Sequence, residues 1–165
     1  MAENYAVVRT DNMYGTDVRA GLVSIEYMGE DGATPTAIEN GNVLKVGDLL
    51  DGEREIFIGS AVAADDAIED VVLIATPEVV YNEYLHHNLD DFINEAGMPA
   101  RGYHLHHGDI FSVTAEALDG TPAVGSTVNF AAGTKLAVDG AGTAVGKIIE
   151  EDTTTRYTYY VVKVD

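Results

Sequence analysis

The side chains with catalytic potential gather in one short run, His104-Leu105-His106-His107-Gly108-Asp109. On a strand, His104 and His106 share a face, because side chains alternate with a period of two. Two imidazoles at that spacing, with a carboxylate close behind, offer nitrogen and oxygen donors to a divalent metal. The chemistry would be metal-dependent hydrolysis. Such a site needs further ligands and a base, and the chain has no HExxH and no second ligand pair at a recognisable spacing. His104 and His106 are therefore metal candidates set against a plainer reading, histidines at a strand end and a turn. His86 and His87 are adjacent, so on a helix their side chains diverge by about 100°.

The carboxylates form local pairs: Asp65-Asp66, Asp90-Asp91 and Glu150-Glu151-Asp152. Two catalytic carboxylates must face each other across a cleft, and adjacency does not provide that. Solvated faces are the expectation. There is no GxSxG and no P-loop pattern. Gly140-Ala-Gly142-Thr-Ala-Val-Gly146 has the wrong spacing for a dinucleotide loop, and a strand rather than a helix follows it, so no helix N-terminus is there for a phosphate. No cofactor and no enzymatic activity are expected. The tyrosines from Tyr157 to Tyr160 could stack on a sugar or on a partner.

The elements that would carry these groups are mostly strands. Tyr5-Ala-Val-Val-Arg9 is a short apolar run. Leu22–Tyr27 alternates, and Glu55–Ile58 follows the tight-turn dipeptide Asp51-Gly52; Asn40-Gly41 is another such dipeptide. Val71-Val-Leu-Ile-Ala75 is the continuous β-branched run expected of a fully buried strand. Leu89, Phe92, Ile93 and Ala96 fall at i, i+3, i+4 and i+7, which predicts one short amphipathic helix. Asn88 would be its N-cap, Asp90 and Asp91 lie in its first turn, Gly97 would be its C′ residue, and Pro99 prevents continuation. Ala61–Asp70 reads as a loop or a weak helix. Tyr103–His106 and Ile110–Val113 read as a strand pair. Val145–Ile149, a polar connection over Glu150–Thr155, and Tyr157–Val164 predict a C-terminal β-hairpin. The fold class expected is mainly β with one short helix, an α+β arrangement that is barrel- or sandwich-like, with many short antiparallel strands.

At 165 residues the chain is expected to form one compact domain, with two lobes (about 1–80 and 81–165) as the variant and the N-terminal segment as an extended arm. Without cysteine there is no disulfide, thiolate ligand or cysteine nucleophile. The start, MAENYAVVRTD, has neither a basic region nor a long apolar run, so no signal peptide is expected, and no stretch has the apolar length to span a bilayer. Nine Lys+Arg against 28 Asp+Glu give a formal net charge of −19. That sign opposes the electrostatic attraction that dominates nucleic-acid affinity, and it repels anionic membranes. Neither nucleic acid nor membrane is an expected partner.

Several segments resemble the head decoration, or capsid auxiliary, proteins encoded beside the major capsid protein in tailed phages of Gram-positive bacteria. They are NYAVVRTDNM, TAIENGNVLKVGDLLDGEREIF, NLDDFINEAG, ARGYHLHHGDIFSVTAEAL, AVGKII and RYTYYVVKV, in this order along most of the chain. The resemblance implies a non-enzymatic virion protein, made in the host cytoplasm, that binds the outer surface of the major capsid protein lattice and stabilises the head. It implies a homo-oligomer, a trimer by analogy. Strand addition to an exposed capsid sheet edge needs only main-chain hydrogen bonds, and Tyr5, Val7, Val8 and Arg9 are the candidate interface for it. The alternative is a carbohydrate- or host-surface-binding β module that uses Tyr157 and Tyr159. A histidine–metal hydrolase is the third reading.

Overall fold

The computed structural model describes residues 5–10, 21–79 and 88–165. Eleven strands organise them: β1 (Leu22–Tyr27), β2 (Val43–Leu49), β3 (Ile56–Ser60), β4 (Val71–Ile74), β5 (Ala100–His104), β6 (Ile110–Val113), β7 (Leu118–Asp119), β8 (Thr127–Asn129), β9 (Leu136–Val138), β10 (Ala144–Thr153) and β11 (Thr158–Val164). The first five close on themselves as a barrel in the order β1-β3-β2-β4-β5. The seam is the antiparallel pairing of β1 with β5, where Leu22 faces Tyr103 and Ile25 faces Ala100. The other six form one sheet in the order β6-β11-β10-β8-β9-β7. Pairing is antiparallel except between β1 and β3 and between β7 and β9. The protein is mainly β, as its alternating sequence predicts.

Alternation explains where the core sits. The barrel interior holds Ile25 and Tyr27 from β1, Leu44 from β2, Val72 and Ile74 from β4, and Ala100 from β5. The other face of the same wall, Val43, Val71 and Leu73, packs with Phe111, Val128, Phe130, Leu136, Val145, Ile148, Val162 and Val164 of the second sheet and its loops. All four residues of β4 are buried because both of its faces are covered. The run Val71–Ile74 is thus the partition between two apolar cores. The barrel is tight: a Cβ on Gly59 would lie 2.7 Å from Leu44 Cδ1 and 3.0 Å from Ile25 Cγ1, so only glycine lets β3 approach that closely.

The predicted amphipathic helix is corrected by the structure. Leu89–Asp91 form a single 3₁₀ turn, and Phe92 is already extended at φ −83°, ψ 133°. The cause lies downstream. Ile38 N donates to Asn94 O and Asn94 N to Ile38 O, both at 3.0 Å, which makes a bridge that a helix through Asn94 would break. Asn94 Nδ2 also donates to Ile38 O and to Asn40 Oδ1. Asn40 in turn exchanges hydrogen bonds with the backbone of Thr76, at 2.8 and 3.0 Å. A buried polar network that satisfies every one of these groups outweighs a local helical preference worth tenths of a kilocalorie per residue. Gly97 does adopt positive φ (77°), but inside a β-turn closed by Met98 N donating to Glu95 O at 3.2 Å.

The C-terminal hairpin is present, with a second correction. Glu150–Asp152 are not its connection. They belong to β10, which pairs Glu150 with Val161, Glu151 with Tyr160 and Asp152 with Tyr159 after a bulge beyond Ile148. The turn is only Thr154–Tyr157, closed by Thr154 N donating to Tyr157 O at 2.8 Å. In Ala61–Asp70 the structure has a bridge from Val62 to Gly133 and a 3₁₀ turn at Ile68–Asp70.

Candidate functional site

Tyr5, Val7, Val8 and Arg9, the sequence's candidates for strand addition to a partner, lie in a segment joined to β6 of their own chain by an isolated bridge. Val8 lies opposite Val113 of β6. Arg9 N donates to Ser112 O and Thr114 N donates to Val7 O, both at 3.1 Å. Tyr5 N donates to Asp90 O at 3.0 Å, and Ala6 N to Glu39 Oε2 at 3.1 Å. Ala6, Val7 and Val8 are each 1% exposed and belong to the core. β-Branched residues in an apolar run predict an extended segment; nothing in them says which sheet edge it completes.

Tyr5 and Arg9, on either side of this bridge, lead into a cluster of arginine and tyrosine. The Arg156 guanidinium lies 5.4 Å from the Tyr157 ring centre, and that of Arg9 5.4 Å from the Tyr159 ring centre. The two rings are 5.9 Å apart and tilted by 55°. Arg156 also donates to both carboxylate oxygens of Asp90 at 3.1 and 3.2 Å and to Asn88 Oδ1 at 2.6 Å. The Tyr157 hydroxyl donates to Asp90 Oδ1 at 2.8 Å. Burial pushes the Asp90 carboxyl up, but the Tyr157 hydroxyl, Arg156 and its own backbone outweigh that and hold it below the ordinary carboxylate range. Burial, then the bond to Asp90, pushes the Tyr157 phenol up. Asp90, expected to favour a helix dipole, instead joins the β10–β11 turn to the N-terminal segment at Tyr5. A cleft of about 330 Å³ opens beside it, lined by Tyr5, Val7, Thr114, Glu116, Arg156 and Tyr157. Tyr159 is 2% exposed, whereas Tyr157 keeps part of its surface.

The histidines go separate ways. His104 ends β5 opposite Val72, half-buried, while His106 is exposed past the strand end. Asp109 is buried and holds the turn: its Oδ2 accepts from His106 N at 2.9 Å and lies 3.7 Å from His106 Nδ1. Among the described residues, no three histidine, aspartate or glutamate side chains converge in a metal-holding arrangement. His86 and His87 lie outside the described residues. Of the acid pair at 65–66, Asp66 serves the fold, accepting from Ala63 N at 2.7 Å and pairing with Lys45.

Burial and then the charge of His106 lower the His104 pKa below its ordinary 6.5, against a smaller pull from Glu69 and Asp70. The unfolded chain therefore takes up this proton first as pH falls, and folding stability drops below about pH 6.5. Urea midpoints measured between about pH 7 and pH 5 should fall less steeply in His104→Gln than in the parent chain. Equal slopes would show that the imidazole is as free to protonate in the folded state as in the unfolded one.

Comparison with protein-family models, with curated proteins and with solved structures gives no match to this chain.

Proposed function

We propose that this chain is a non-enzymatic capsid decoration protein of a tailed phage, bound to the outer surface of the major capsid protein lattice and stabilising the head. What carries it is a resemblance: the ordered series of segments from NYAVVRTDNM to RYTYYVVKV, along most of the chain, resembles that family in pattern. The physics supports it. A barrel and a sheet packed on one shared core make a stiff body, suited to repeating the same contact at every lattice position. A net charge of −19 favours solubility of the free subunit and gives no attraction to packaged DNA. Many weak, symmetric contacts, made by a homo-oligomer such as a trimer, would stabilise the mature shell by mass action.

The N-terminal contact takes a specific form. Because Val7 and Val8 are buried, strand addition through this segment requires strand exchange: it leaves β6 and a capsid edge takes its place. A carbohydrate- or host-surface-binding role is the second reading, favoured by the cleft where Tyr157 meets Asp90, Glu116 and Arg156. Tyr159, too buried to meet a ligand, would only support it.

The deciding measurement is the copy number of this chain in purified virions, with cryo-EM of the same particles. Many copies at regular outer-surface positions are expected. A few copies at a vertex or on the tail would favour the adhesin reading, and complete absence would sink the capsid one.

A further inference from the structure

β10 is ten residues long, but its neighbour β8 accompanies it only along Ala144–Lys147. The loop before β8 adds one more step: Ile148 N donates to Ser126 O at 2.9 Å, and Gly125 N donates to Ile148 O at 2.8 Å. Beyond that point no neighbour pairs with this edge among the described residues. Ile149 to Thr153 are all exposed. Thr154 N donates to Tyr157 O, so Thr153 and Thr158 form a non-hydrogen-bonded pair. Alternation then turns the N–H and C=O of Glu151 and Thr153 away from β11, where no backbone group of the described residues bonds to them. These are the groups an arriving strand needs.

We propose that this edge, Glu150–Thr153, is a docking edge for an extended, lysine- or arginine-bearing segment of another protein. Charge selects the occupant. Glu150, Glu151 and Asp152 put acids on both faces of the edge, within a chain of net charge −19. Asp152 shares its charge with Arg9 at 3.7 Å, so Glu150 and Glu151 carry most of the selection. A second copy pairing there would set these acids against identical ones, which is destabilising across a strand pair and blocks self-association. A basic strand gains from the same residues, and opposite charges speed its encounter. Val124 (59% exposed) and Ile149 (44% exposed) flank the point where β8's strand line ends, and supply apolar contact for the first residues of the incoming strand. The bulge in the β10–β11 pairing beyond Ile148 falls where the outer pairing with the β8 side ends among the described residues.

The test uses the full chain, isotopically labelled, titrated with an alternating valine–lysine peptide and with its valine–glutamate counterpart. Amide shifts should centre on Ile149–Thr153, and the lysine peptide should bind at least about tenfold more tightly, with the preference shrinking as salt rises. Glu151→Pro removes an outward N–H without touching a bond to β11, and should weaken lysine-peptide binding by about tenfold. Should that variant fold poorly, Glu150→Lys with Glu151→Lys keeps the backbone and should reverse the preference. Shifts centred elsewhere, equal binding of the two peptides, or no reversal would overturn the proposal. The outcome is independent of the capsid reading, which stands or falls on copy number in virions.

Discussion

A chain that begins after Thr10 is expected to lose several kcal/mol of folding stability, rather than merely a spare arm. Val7 and Val8 are 1% exposed, and fully burying a side chain of that kind is worth about 1.5–3 kcal/mol. Deletion also leaves Ser112 O and Thr114 N on β6 and just beyond it without their partners, and opens that edge to solvent. Ala6 and Val8 belong to the same core as Phe111, Val113 and Ala117, so the loss is felt across the second sheet. Chemical denaturation reads it directly, as a large drop in the midpoint. An unchanged midpoint would mean that the segment contributes nothing in the free protein and is available to a partner without cost.

That result governs how the N-terminal mode is tested on capsids. Reduced occupancy of a truncated chain could arise from unfolding alone. A cleaner probe is Arg9→Ala with Tyr5→Ala, at positions where side chains lie partly at the surface, compared with the truncation in one assay. If strand exchange operates, the capsid edge must return the bonds and the burial that β6 gives up, and occupancy should fall only in chains unable to fill that edge. Unchanged occupancy with a truncated but folded chain would remove this segment from the interface.

The parts legible in the sequence are those where one physical signal acts alone. Val71–Ile74 reads as buried because nothing polar interrupts it, and it becomes the shared wall. Tyr157–Val164 alternates, and Val162 and Val164 do face the core. The 88–96 segment carries two signals. Its apolar spacing is helical, yet Asn94 holds its place through Ile38 and Asn40, more than fifty residues away. No local pattern contains such a partner. Glu150–Asp152 read as a loop because they are charged, while a strand with no outer neighbour among the described residues accepts charge on both faces. Barrel closure is equally out of reach, since the seam joins Leu22–Ile25 to residues 100–103. The histidines show the same limit in chemistry: the spacing of His104 and His106 is visible in the sequence, but convergence of further ligands is a property of tertiary structure.

The second large effect is expected at Leu73. Its side chain is fully buried on the outer face of β4, in the core that joins the barrel to the second sheet. Leu73→Ala should cost about 2–5 kcal/mol, because the rigid walls on both sides can close only part of the cavity. The informative quantity is which amides lose protection. If barrel and sheet form one cooperative unit, hydrogen exchange should accelerate together in β1 and β3 and in β10 and β11, and denaturation should stay a single transition. If β1 and β3 keep their protection while the C-terminal hairpin exchanges freely, the chain is two lobes that share a wall without sharing a transition. If the proposed capsid role holds, the first behaviour suits it, since load applied through the sheet would be carried by both cores. Ile74→Val, on the barrel side of the same strand, removes one methylene and should cost about 0.5–1.5 kcal/mol, with the same pattern of exchange if the unit is single.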